Sequence, residues 1–76
     1  MGTMRILDET GDTMVRWRTD DAATLERAEA VFGQLSRRRQ LAFARPEGAT
    51  AEDAERIYAF DPTAEEIIWV RPIAGG

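Results

Sequence analysis

Few side chains in this sequence can do chemistry of their own. It has no cysteine and no histidine. That removes a thiol nucleophile, a disulfide framework, the usual imidazole base and any Ser-His-Asp arrangement. The 14 acidic residues include no run at the D-x-[DN]-x-[DN]-G spacing of a calcium loop. The composition therefore argues against a self-contained enzyme and against a bound metal. Two features remain. One is the basic triplet Arg37-Arg38-Arg39, and the other is the end, "IIWVRPIAGG", in which an apolar run gives way to Gly75-Gly76. At a usage of about 7% for glycine, such a pair falls at a chosen terminus in roughly one chain in two hundred. Glycine also marks frayed ends, so the rest of the chain has to give the pair its meaning.

All ten basic residues are arginine and lysine is absent. A GC-rich coding sequence is the bland explanation. The functional one is that lysine, unlike arginine, can lose its proton and attack an acyl group. With a net charge of −4 the chain lacks the basic surface that nucleic acid requires. Its longest apolar run, "IIWV", is too short to span a bilayer, and no signal-peptide pattern opens it. The expectation is a cytoplasmic protein with neither nucleic acid nor membrane as partner. Met1-Gly2-Thr3 ahead of Met4 reads as an expression scar and is set apart from the domain.

Seventy-six residues make one small domain near the lower limit for an unstapled core. "MRILDETGDTMVRWR" reads as a hairpin of Met4–Leu7 and Thr13–Arg18, turning through Gly11 and Asp12. Met4, Ile6, Val15 and Trp17 share its buried face. "DDAATLERAEAVFGQLSRRRQ" is the one long helical pattern, capped by Asp20 or Asp21, with Glu26 and Glu29 early where the macrodipole favours negative charge. Leu25, Ala28, Phe32 and Leu35 form its apolar stripe, with Val31 beside it. The arginine triplet reads as a solvated, dipole-stabilised helix end in preference to a phosphate site.

"LAFARPEG" follows as a strand, with Leu41 and Phe43 on one face and Ala42 and Ala44 on the other. Thr50 and Asp53 suggest a short helical turn, and Ile57–Phe60 a short edge strand broken at Asp61-Pro62. Ile67 to Val70 are apolar without alternation, the pattern of a central strand. Pro72 cannot donate to a ladder, so pairing should stop near Arg71. The sum is an α+β roll, a mixed four- to five-stranded sheet with one helix packed across it. The domain spans residues 4–72 and a flexible tail follows over 73–76.

This element order, ending on Gly75-Gly76 after an apolar strand, resembles the β-grasp superfamily. Within it the chain is similar to ubiquitin-like proteins and to the sulfur carriers of molybdopterin and thiamine biosynthesis. The resemblance covers nearly the whole chain as element order, but as a motif only its end. It implies that Ile67 and Trp69 point inward, with Ile68 and Val70 outward. Leu41 and Phe43 would point in, leaving Ala42 and Ala44 out. An apolar partner-binding patch of Ala42, Ala44, Ile68, Val70 and Leu7 would follow.

The resemblance further implies that no cofactor is bound and that a partner activating enzyme uses ATP to adenylate the terminal carboxylate. Gly76 and Gly75 would be the conjugation site, and Arg71, Pro72, Ile73 and Ala74 the segment recognised in the tail. Glycine suits a tail that must thread a narrow channel. Conjugating and deconjugating enzymes and target proteins would be the further partners. The chain is then a modifier, and the lack of lysine excludes lysine-linked chains of it. The alternatives are a thiocarboxylate sulfur carrier, towards which "RPIAGG" leans, and a non-covalent β-grasp adaptor. Against the carrier, "DPTAEE" stands where such proteins often have a Gly-Asp turn.

Overall fold

The computed structural model describes residues 1–8 and 11–71. In chain order the elements are β1 (Gly2–Asp8), β2 (Gly11–Trp17), α1 (Ala22–Arg37) and β3 (Leu41–Arg45), then a 3-10 turn (Ala51–Asp53), β4 (Glu55–Ile57) and β5 (Glu66–Val70). The strands form one five-stranded sheet in the order β2-β1-β5-β3-β4. Every neighbouring pair is antiparallel except β1 with β5, which run parallel. The first and last strands therefore lie side by side at the middle of the sheet. The architecture is α+β, one helix packed on a mixed sheet.

The helix forms where its periodicity predicts. Asp21, not Asp20, is the cap: its side chain accepts from the N–H groups of Ala23 and Thr24 at 3.1 and 3.4 Å. Ala28, Phe32 and Leu35 are buried, with Leu25 and Val31 packed against them. Glu26 and Glu29 lie beyond the first turn, which holds no acidic residue. They are outside the reach of the macrodipole, which fades within that turn.

β1 starts earlier than its sequence suggests. Gly2 pairs with Trp17, and the Thr3 N–H donates to the Glu65 carbonyl at 3.0 Å. The domain thus begins inside the three residues set apart from it. Gly2 is buried, and a Cβ there would fall within the Trp17 ring. β4 is displaced the other way, to Glu55–Ile57, leaving Tyr58 to Phe60 outside the ladder. Phe60 instead plugs the core. Its ring lies 5.0 Å from Trp17, edge-on, and 6.1 Å from Phe32, which in turn meets Trp69 at 4.8 Å.

The faces of β3 are the reverse of expectation. Ala42 and Ala44 are buried against the helix, while Leu41 and Phe43 lie on the opposite face, half-buried. The register gives the reason: Ala42 sits opposite Trp69, and Ala44 opposite Ile67. Trp17, Trp69, Met4 and Ile67 are the largest fully buried side chains. A layer filled by two indoles needs small residues beside them, since interiors pack at a fixed density. Side-chain size is thus distributed across the ladder, and the larger residue of each β3 pair goes outward.

Candidate functional site

Two regions were singled out by sequence, and both depend on β5. Its alternation is set by its neighbours. Ile67 and Trp69 are fully buried towards the helix, which leaves Ile68 half-buried and Val70 exposed on the outer face. β5 ends at Val70, opposite Leu41, and Arg71 follows as an exposed residue outside the ladder. Pro72, Ile73, Ala74, Gly75 and Gly76 lie outside the described residues. What the fold provides is the point of departure: the tail begins at the end of a central strand.

The outer sheet face carries the second region. Register places Phe43 beside Ile68, and Leu41 beside Val70. Across the parallel pair, Ile68 lies beside Arg5 and Trp69 beside Ile6, so Val70 comes level with the Leu7 end of β1. Leu7 is 54% exposed and Val70 43%. Met14, opposite Arg5 on β2, adds a further exposed apolar side chain. The apolar patch is therefore Leu7, Leu41, Phe43, Ile68 and Val70. Ala42 and Ala44 do not belong to it, because both are spent in the core. Leu41 and Phe43 take their places, with more apolar surface than two alanines could offer.

One signal in the sequence could have revealed this inversion. The strand "LAFAR" alternates large with small, and the neighbouring "IIWV" carries a tryptophan. Pairing large with large on the inner face would overfill it.

A charged network borders the patch where β5 begins. Glu66 is reached by Arg5 at 3.0 Å and by Arg45 at 3.5 Å. Arg45 also meets Glu65 at 3.0 Å and donates to the Ala49 carbonyl at 2.9 Å. Glu66 and Arg45 are mostly covered, so this network fixes the start of β5 more firmly than exposed pairs would. The result is an amphipathic surface: an ionic row where β5 begins, and an apolar field where it ends and the tail departs. Contiguous apolar surface rimmed by polar groups commonly marks an interaction site.

Among the described residues no group of three or more His, Cys, Asp and Glu side chains is placed to hold a metal ion. Nor is any described helix long and apolar enough to cross a membrane. No family model, curated protein or solved structure matches the chain.

Proposed function

We propose that this chain is a ubiquitin-like modifier with a β-grasp fold, whose Gly76 carboxylate is activated and joined to amines on other proteins. The observation that carries this reading is the sheet order, with β1 and β5 parallel at its centre and a helix packed across one face. In such an arrangement the last strand is held on both sides, and whatever follows it leaves from a rigid anchor. Here that is Arg71 and the run to Gly75-Gly76. The apolar patch at the same end of β5 supports the reading, because a partner gripping the tail would meet Leu41, Val70 and Leu7 first.

The chemistry belongs to the partner. A terminal carboxylate oxygen attacks the α-phosphorus of ATP, and pyrophosphate leaves. A cysteine thiol of the partner attacks the resulting acyl-adenylate, forming a thioester and releasing AMP; a target amine then attacks the thioester, forming an amide and releasing the thiol. Gly76 is the acyl donor throughout. Neither the folded domain nor its side chains are consumed.

Pro72, placed shortly before the glycines, favours a second reading as a thiocarboxylate sulfur carrier. One experiment separates the two. N-terminally tagged protein and a version lacking Gly75-Gly76 are recovered from the native host and compared by intact mass and denaturing gel. Reductant-resistant adducts present only with the glycines support the modifier. An unadducted chain with one oxygen exchanged for sulfur supports the carrier. If each version returns only its own unmodified sequence mass, both readings are sunk and a non-covalent adaptor is left. Searches for adducts must allow for Pro72: trypsin cuts poorly after Arg71, so a conjugate would carry the peptide from Ile57 to Gly76.

A further inference from the structure

Beside the C-terminal end of α1, β3 and β4 lies a hollow of about 330 Å³ whose lining includes Ser36, Arg39, Gln40, Arg56, Tyr58 and Trp69. Its size is at the lower end of the range for small-ligand sites. Three observations bear on what it could hold.

The first is a pair of buried polar atoms with no hydrogen-bond partner, Trp69 Nε1 and Gln40 Oε1. One is a donor and the other an acceptor. The second tryptophan makes the contrast plain, since Trp17 Nε1 donates to the Pro62 carbonyl at 3.1 Å. A buried indole N–H ordinarily finds such a partner, and leaving one unpaired is unfavourable.

The second is the backbone at Arg39. α1 ends in a Schellman motif: the Arg39 N–H donates to the Ser36 carbonyl at 3.0 Å, and the Gln40 N–H to that of Leu35 at 3.2 Å. The residue between cap and exit must take a left-handed conformation, which is normally the place of glycine. Here it is arginine, at φ 62°. Retaining a side chain where the backbone disfavours one points to a use for that side chain.

The third is charge. Arg56 lies over the Tyr58 ring at 4.7 Å, and neither it nor Arg39 forms an ion pair with a described residue. Two cations thus border a hollow lined by the two residues, Trp69 and Gln40, that carry the unpaired donor and acceptor.

From these we infer that the cavity binds a carboxylate joined to an amide, the chemistry of a peptide's C-terminal end or of an N-acyl amino acid. The amide carbonyl accepts from Trp69 Nε1 and the amide N–H donates to Gln40 Oε1, so an amide carries both of the groups that these atoms lack. The carboxylate meets Arg39 and Arg56, whose guanidinium groups donate charge-assisted hydrogen bonds. Both orphan atoms are closed off from solvent. Binding therefore includes a parting of the rim, where Tyr58 is 79% exposed. The inference stands independently of the modifier reading, because it rests on residues that precede the tail.

The test uses the full chain and N-acetyl-glycyl-glycine as probe, followed through the indole N–H resonances of the two tryptophans. The expected result is a saturable shift of the Trp69 resonance, with that of Trp17 unmoved as internal reference. The matching C-terminal amide should bind roughly tenfold more weakly or worse, the loss of one charged interaction. Arg39→Gly should lose the probe to a similar degree while melting no lower than the parent, since glycine suits that backbone. Equal binding of acid and amide would overturn the inference, as would full binding by Arg39→Gly. A Trp69 resonance that never moves would mean that the orphan atoms are served by water alone, which overturns it as well. A chain lacking Gly75-Gly76 separates the sources. Tighter probe binding after truncation identifies the chain's own end as occupant, and unchanged binding points to a separate molecule. Adduct formation in the host is unaffected by any of these outcomes, so this inference and the modifier reading fail separately.

Discussion

Gly2 and Ala42 are two small residues whose lack of bulk is what the core requires. Gly2 pairs with Trp17 beneath the indole, and a methyl group there would enter the ring. Gly2→Ala should cost about 1–3 kcal/mol, the range for an overpacked core, and thermal or urea unfolding would read it. A change under about 0.5 kcal/mol would mean that the strand start moves aside freely. Ala42 and Ala44 make the same point on β3. Ala42→Leu should destabilise by a similar amount, whereas Leu41→Ser, on the half-buried outer face, should cost less than about 1 kcal/mol. The opposite order would restore the faces that hydrophobic size alone suggests. That expectation failed for a physical reason. Alternation in "LAFAR" gives two faces but not which one is inner, and the answer lies in the indole volume of a strand 25 residues away.

At the scale of elements, α1 was legible because its signals are local. Apolar spacing, an N-cap and a basic end all agree within its 16 residues. Removing the cap tests how much they contribute: Asp21→Ala should cost about 1 kcal/mol. Gly33 is the one local conflict, a poor helix former in mid-helix with room for a methyl group, its nearest neighbour beyond being Arg37 Nη2 at 3.5 Å. Gly33→Ala should therefore stabilise by about 0.5–1 kcal/mol, and a lower melting temperature would refute it. β4 was legible only as a region. Its three residues pair with β3, while the more apolar "YAF" just after them leaves the ladder so that Phe60 can close the core. The outer patch was half legible for the same reason. Leu7, Ile68 and Val70 follow from alternation within their own strands, but Leu41 and Phe43 depend on cross-strand pairing.

For the molecule as a whole, the consequential feature is that the first and last strands are parallel neighbours. Thr3 lies beside Glu66 and Ile6 beside Trp69, so β1 enters the sheet at the end where β5 begins. The chain leaves from Val70 at the other end, about 13 Å further along a strand of this rise. An N-terminal tag is therefore attached at the end of the sheet opposite Val70, as the adduct experiment needs. The same geometry governs the response to force. Pulling Met1 and Arg71 apart draws two adjacent strands past each other along their length, so the β1–β5 bonds are loaded together. Pulling Met1 and Arg18 apart instead separates the hairpin from its open end, where Gly2 pairs with Trp17, and the bonds yield one after another. At one loading rate the first attachment should give the higher unfolding force. A proline at Thr3 removes the N–H that bonds the Glu65 carbonyl across the β1–β5 pair, and should lower that force more than it lowers the second. Single-molecule stretching through the two attachment pairs would decide it. Equal forces would mean that the sheet gives way elsewhere, and that the central strand pair is not what anchors the tail.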